Sequence, residues 1–328
     1  MVASSNLVTP TEERGSQSLY AAGFFLFPFV SNFLALTNHY QSLRYLLSVM
    51  TTASIVTHRT DPSELKRVVE CIARCPEVTK IFIVDNSPDD SLRATALSLP
   101  HSEYIHVENN GFGAGHNVAL REVLASRAEF HLVINADVMW EGDVLSPIID
   151  HLRKKPDIGL LSPKIYYPDG TLQYACRMLP TPWDVFAKRF LPASLIRKRM
   201  ARYLLADADH DREFNCPYLL GSFMMFRTDA LRETGIFDER FFMYPEDIDI
   251  SRRIHENRPT MFWPKVTVIH AHAAASRKSL RMLCIHIVNM IRYFNKWGWW
   301  RDPLRRRFNR RLLKNMPRIF GPPPQGRG

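Results

Sequence analysis

Phe130–Asp137 reads FHLVINAD, an apolar and β-branched run that stops abruptly on polar residues. A run of this length and composition reads as a buried strand. Its neighbours give it meaning. Ala53–Thr57 (ASIVT), Lys80–Asp85 (KIFIVD) and Tyr104–Val107 have the same character. Helical spacing separates them: Pro62–Arg74 carries Leu65, Val68, Val69 and Ile72 on one side, and further helices are predicted near Ser91–Leu99 and over Val118–Ser126. Strands alternating with helices predict an α/β fold, a Rossmann-like, mainly parallel sheet with helices on both faces. In such sheets ligands bind beyond the carboxyl ends of the strands. Thr57, Asp85, Asn109, Asn110 and Asn135–Asp137 all fall at such ends.

Beyond Asp150 the alternation loosens. Gly159–Pro163 reads as a short strand, Tyr167–Gly170 (YPDG) as a turn before Thr171–Cys176, and Leu179–Arg212 is basic with prolines and no clear period. Tyr218–Arg227 (YLLGSFMMFR) reads as one buried strand, with Gly221 where a backbone or ligand comes close. A short helix over Asp229–Glu233 leads to Phe241–Ile254, FFMYPEDIDISRRI. There Pro245 suits the first helical position, and Glu246 and Asp247 fall in the first turn, where the helix dipole favours negative charge. Asp249 has Arg252 and Arg253 at helical spacing, and Ile250 and Ile254 would face the core. Thr260–Pro264 and Val266–His270 read as the last strands.

The chain has 328 residues, is 46% hydrophobic and carries a formal net charge of +10. That composition is globular, sufficient for one large domain or two small ones. The charge predicts an anionic partner: nucleic acid, an acidic membrane surface or a phosphorylated substrate. Cys71, Cys75, Cys176, Cys216 and Cys284 complete no zinc pattern and read as reduced thiols of a cytosolic domain.

The candidate chemistry lies at the strand ends. Asn109–Asn117, NNGFGAGHN, is close to a dinucleotide fingerprint, but His116 stands where the third glycine belongs and the loop follows the third strand. A nicotinamide enzyme is therefore disfavoured. A Gly-rich loop opening a helix still offers N–H groups to a phosphate or ribose. Asp137, at a strand end, suits a hard cation such as Mg²⁺ or Mn²⁺, with capping of the next turn as its other role. Such a cation would bridge a nucleotide's phosphates and neutralise charge on a leaving diphosphate. His270, followed by His272, ends VTVIH and is a candidate metal ligand or phosphate donor. His58, His116 and His255 read as structural.

Taken in order, IVDNSPDDS, NNGFGAGHN, LVINAD, YPDGTLQ, LLGSFMMFR, GIFDERFFMYPEDIDISRRI and VIHAHAAAS resemble the motifs of glycosyltransferase family 2, most closely its bacterial rhamnosyltransferase-like members, from about Ser54 to Ser276. The resemblance implies a GT-A fold, a dTDP- or UDP-linked sugar donor and inversion at the anomeric carbon. It implies that Asp85 contacts the nucleoside and that Asn110, Gly111 and Asn117 belong to the loop around the nucleotide. It makes Asp137 the last acid of a metal-binding DxD motif, His270 the residue completing that site, and Gly221 a flank of the acceptor pocket. Asp247 becomes the general base, supported by Glu246. The DxD motif here is Asn135-Ala136-Asp137, so its first position is a neutral oxygen ligand. Inversion requires a base for the acceptor hydroxyl and no protein nucleophile, which fits the lack of an evident Ser–His or Cys–His set.

On this reading, residues 1–49 are an N-terminal extension, 50–276 the glycosyltransferase domain and 277–328 a basic, aromatic helical segment. Leu19–Thr37 carries no charge and reads either as a membrane contact or as a non-structural extension ahead of the fold. Met290–Phe320 mixes Trp297, Trp299 and Trp300 with many arginines, either as a solvated basic face or as a surface for anionic headgroups. The expected setting is the cytoplasmic side of the plasma membrane, with rhamnose favoured as the sugar and a glycan or lipid-linked glycan of a surface polysaccharide as acceptor. The alternatives are a basic nucleic-acid-binding protein without transferase activity and a hydrolase of nucleotide sugars. Acids and glycines gathered at strand ends favour a small ligand over nucleic acid.

Overall fold

The structure, a computed structural model, describes residues 50–271 and 280–319; Leu19–Thr37 and His272 lie outside them. The first half alternates as expected: β1 (Thr51–Thr57), α1 (Pro62–Ala73), β2 (Val78–Asp85), α2 (Arg93–Leu97), β3 (Ser102–His106), α3 (Phe112–Ala125) and β4 (Phe130–Asn135). The second half comprises β5 (Val138–Met139), α4 (Leu145–Lys154), β6 (Leu160–Tyr166), β7 (Leu172–Gln173), β8 (Cys176–Arg177), α5 (Pro182–Phe190), α6 (Ala193–Tyr203), β9 (Phe214–Asn215), β10 (Tyr218–Leu219), β11 (Phe223–Arg227), α7 (Thr228–Thr234), α8 (Glu246–Asn257), β12 (Thr260–His270), α9 (Leu280–Trp297) and α10 (Pro303–Asn315).

The main sheet runs β3-β2-β1-β4-β11-β6-β12-β5. β3, β2, β1 and β4 pair in parallel, as do β6 and β12, while β11 lies antiparallel between β4 and β6. Helices cover both faces, because successive strand residues point to opposite sides. Leu132 and Ile134 join a core with Leu65, Val68 and Ile72 of α1 and Ile148, Ile149 and Leu152 of α4. Val133, between them, joins Leu120 of α3, Leu231 of α7 and Ile250 and Ile254 of α8. The α/β class with helices on both faces is therefore the observed architecture.

Several boundaries differ from expectation. α3 begins at Phe112 rather than Val118, because three glycines that weaken a helix in isolation here allow close packing. Gly111 has φ 106°, and a Cβ there would fall 2.2 Å from Phe242 O. Tyr218–Arg227 is two strands, not one: Leu220–Ser222 leaves the ladder, which carries Gly221 into the cleft. The two final strands are one, β12, with a register shift between Trp263 and Thr267 around Pro264. Leu179–Arg212, which has no clear period, contains α5 and α6.

α9 and α10 close one side of the cleft. Tyr293 and Phe294 are buried with Phe241 and Ile248. Arg252 of α8 reaches Asp302 through two bonds of 2.7 and 2.6 Å, and both side chains are buried. Removing one partner of such a pair costs about 3–5 kcal/mol. The Trp297 ring lies 4.0 Å from the Arg252 guanidinium carbon, and Trp299 packs on Phe186 and Phe294. Two of the three tryptophans proposed for a lipid surface thus serve the interior, and Trp300 remains exposed. No helix among the described residues is long and apolar enough to cross a membrane.

Candidate active site

A cavity of about 910 Å³ opens between the start of α8, the β10–β11 turn, the ends of β4 and β12, and the α5–α9 side. The chain enters α8 through Tyr244, whose φ of 92° is strained for a residue other than glycine. Pro245 caps the helix, one position earlier than expected, and leaves Glu246 and Asp247 at its start lining the cavity. Asp247 Oδ2 accepts the Gly221 N–H at 3.0 Å and faces the Tyr218 hydroxyl at 3.4 Å; Oδ1 accepts the Ile248 N–H at 2.7 Å. A Cβ on residue 221 would sit 3.2 Å from Asp247 Cβ, so glycine is what allows the backbone this close.

Both carboxyls are held above their ordinary range. Burial raises Asp247 to about 6, against the opposing pull of the Gly221 and Ile248 N–H groups and the charge of Arg177. Burial and then the charge of Asp247 push Glu246 up to about 8. At neutral pH one carboxylate of the pair is ionised and Glu246 is largely protonated. Asp249 stands apart from the cavity chemistry. It pairs with Arg253 at 2.8 Å, as the helical spacing suggests, and also with Lys296 at 2.7 Å; Arg252 is taken by Asp302.

The ends of β4 and β12 form a second polar corner. His270 Nδ1 lies 2.8 Å from Gln173 Oε1, and with the proton on Nδ1 the Nε2 lone pair would be available to a cation. Nε2 is 3.2 Å from Asp137 Oδ1 and 3.4 Å from Asn135 Nδ2. Asn135 Oδ1 is buried without a hydrogen-bond partner. A carboxylate and a histidine nitrogen beside an unfilled amide oxygen are a donor set that fits a divalent cation, and Gln173 would orient the histidine as outer-shell partners do. Three His, Cys, Asp or Glu side chains do not converge anywhere among the described residues. A hard cation at this corner would therefore complete its oxygen shell with substrate phosphates, as Mg²⁺ commonly does.

Other expected contacts are differently placed. Asp85 and Thr57 are fully buried. Asp85 accepts from Thr57 at 3.0 Å and the Ser87 N–H at 3.0 Å on Oδ1, and from Tyr104 at 2.8 Å on Oδ2. Asn117 is likewise buried. Its amide bonds Phe237 O and Glu239 and accepts the Phe237 N–H, clamping the loop ahead of α8. The glycine loop is not a set of free donors either: the N–H groups of Asn110, Gly111 and Phe112 already bond Glu108 O, Asn109 Oδ1 and Phe242 O. Asn110 itself is exposed. The residues missed from sequence are Gln173, Arg177, Tyr218 and Ser222. Gln173 sits in YPDGTLQ and Ser222 in LLGSFMMFR, the signals that were available.

The cavity thus carries a buried carboxyl pair at the start of α8 and a polar corner at the ends of β4 and β12. The comparisons with known proteins name the protein's class. The sequence pattern of Glycosyl transferase family 2 matches residues 52–235, more than half of the chain. The chain belongs to this family and is a glycosyltransferase. Glu246, Asp247 and His270 lie beyond the matched stretch, so their roles rest on geometry. The chain is 25% identical over 268 residues to an N-acetylglucosaminyl-diphospho-decaprenol L-rhamnosyltransferase of Mycobacterium tuberculosis, covering 76% of this chain and 86% of that protein. It is 26% identical over 208 residues to the rhamnosyltransferase WbbL of Escherichia coli, covering 61% and 75% respectively. A solved mannosyltransferase from Pyrobaculum calidifontis, in complex with GDP-Man and Mn²⁺, aligns with a TM-score of 0.49 at 16% identity, over 85% of this chain and 81% of that one.

Proposed function

We propose that the protein is an inverting, cation-dependent glycosyltransferase that moves a sugar, with rhamnose favoured, from a dTDP- or UDP-linked donor to a hydroxyl of a lipid-linked glycan. The observation that carries this reading is Asp247: a carboxylate in a cavity, aimed by the Gly221 N–H and raised to about 6, ready to act as a base at neutral pH. It takes the acceptor proton as the hydroxyl attacks the anomeric carbon from the face opposite the nucleotide. Glu246, protonated beside it, keeps a second negative charge out of the site. Asp137, His270 Nε2 and Asn135 Oδ1 would hold Mg²⁺ or Mn²⁺, which neutralises charge on the departing diphosphate. The names of the relatives support rhamnose and a lipid diphosphate acceptor.

The same reading places the enzyme at the inner face of the plasma membrane, where a cytosolic donor meets a membrane-held acceptor. Arg306, Arg307, Arg310, Arg311 and Lys314 are exposed on α10 and suit anionic headgroups, each contributing about 1 kcal/mol. The test is a turnover screen of the purified protein against dTDP- and UDP-sugars, with and without a lipid-linked acceptor, read as nucleoside diphosphate release. Acceptor-dependent release supports the proposal. Equal release without acceptor identifies a hydrolase, and salt-sensitive binding to DNA or RNA without any release identifies a nucleic-acid-binding protein.

A further inference from the structure

Arg177, on β8, is the only lysine or arginine among the described residues that line the cavity. Its Nε donates to Tyr174 O at 3.0 Å, and its guanidinium carbon lies 5.9 Å from the Tyr218 ring centroid. Tyr218 in turn points its hydroxyl at Asp247. Arg177 also meets the Tyr203 side chain at the end of α6. No ion pair joins it to a carboxylate among the described residues. Asp247 acts on it only as a neighbouring charge. Asp184, which also lines the cavity, is already bound to Arg199 at 2.6 Å and to Thr181. A guanidinium has five donors in a planar fork that matches phosphate oxygens, and its charge is costly to enclose without an anion.

The wall of the cavity formed by α5 and α9 has the opposite character. Val185 and Phe186 line it from α5, and Leu283, Ile287 and Met290 line it from α9. One cavity therefore holds a base, a cation without an anionic partner and an apolar wall. A compound with a sugar hydroxyl, a phosphate and a hydrocarbon chain presents the three complementary parts.

We infer that Arg177 receives the phosphate that joins the acceptor's sugar to its lipid, with the first stretch of the lipid against the α5–α9 wall. This rests on the proposed reading of Asp247 as the acceptor-side base, and it leaves the donor diphosphate to the corner of Asp137 and His270. Arg177 is a binding residue in this scheme, and its fork explains why lysine, a point charge, is a poor substitute.

The test is equilibrium binding by the full-length protein of three probes: decyl diphosphate, decyl glucoside, and dTDP with Mg²⁺. The wild type binds decyl diphosphate more tightly than decyl glucoside. Arg177→Gln weakens decyl diphosphate at least tenfold, leaves decyl glucoside within twofold and leaves dTDP unchanged, which also reports an intact fold. Arg177→Lys, should the glutamine variant fail to bind dTDP, shows an intermediate loss confined to decyl diphosphate. Ile287→Asp weakens both decyl probes and spares dTDP. Equal loss of both decyl probes in Arg177→Gln would show a shaping role, and loss of dTDP instead would assign Arg177 to the donor; either result overturns the inference. No preference of the wild type for decyl diphosphate overturns it as well. Because no turnover is needed, failure of the proposed catalysis, seen as full activity of Asp247→Asn, remains a separate outcome.

Discussion

Asp85 and Asp247 are both buried carboxylates near the ligand side of the sheet, and their surroundings are opposite. Asp85, at the end of β2, is filled by two hydroxyls and a backbone N–H. Asp247, at the start of α8, has two backbone N–H groups and a distant tyrosine, and its neighbour Glu246 has a buried oxygen with no partner. Asn135 and Ser222, which line the same cavity, also carry buried oxygens without partners. Buried polar groups are ordinarily satisfied, and three of the exceptions among the described residues, Asn135, Ser222 and Glu246, line this cavity. Asp85 is bonded as a scaffold group would be, while the raised pair Glu246 and Asp247 fits a site for chemistry.

The largest effect expected is that of metal removal. Turnover falls below detection in EDTA and returns with Mg²⁺ or Mn²⁺, while Asp137→Ala raises the metal concentration required or abolishes activity. Full activity in chelator would break the assignment of the unfilled Asn135 corner to a cation. Next, Asp247→Asn lowers turnover at least about a hundredfold, roughly 2.7 kcal/mol in the barrier, with donor binding kept. Asp85→Asn acts on the other side of the comparison. It keeps an oxygen for Thr57 and the Ser87 N–H but turns an amide donor toward the Tyr104 hydroxyl, and lowers stability by about 1–3 kcal/mol, read as a drop in melting temperature. Unchanged melting would show that Asp85 is not the scaffold group its contacts describe.

The smallest effect sharpens the pair itself. Glu246 is raised in the folded protein, so the fold binds a proton there that the unfolded chain has released. Its contribution to stability is full below about pH 4.5 and is lost as pH rises through about 8. Glu246→Gln keeps the neutral shape at every pH. Its melting temperature therefore rises relative to the wild type between pH 5 and 8, while turnover changes only a few-fold. A pH-independent difference would show that Glu246 is not buried as a neutral acid.

The parallel half of the sheet was legible in the sequence because apolar runs such as KIFIVD alternate with one-sided helices, a pattern set by local geometry. The acids at the start of α8 were legible for the same reason, through proline and the first turn. The start of α3 was not, since glycine's low helix propensity hides a role that depends on the backbone of Phe242, far along the chain. The bonds from Tyr104 to Asp85 and between Phe237 and Asn117 were not legible, because they join elements that the local pattern does not bring together. Arg177 and Tyr218 sit on two-residue strands that pair only with each other, too short to leave a period.

The most direct test of the central claim is the pH dependence of kcat/KM for the wild type and Asp247→Asn, measured with metal and donor saturating. The account predicts that wild-type activity rises with pH through an apparent pKa of about 6, as the base loses its proton, and that the residual activity of the variant lacks this limb. The same limb in both proteins, or a flat profile in the wild type, would contradict it.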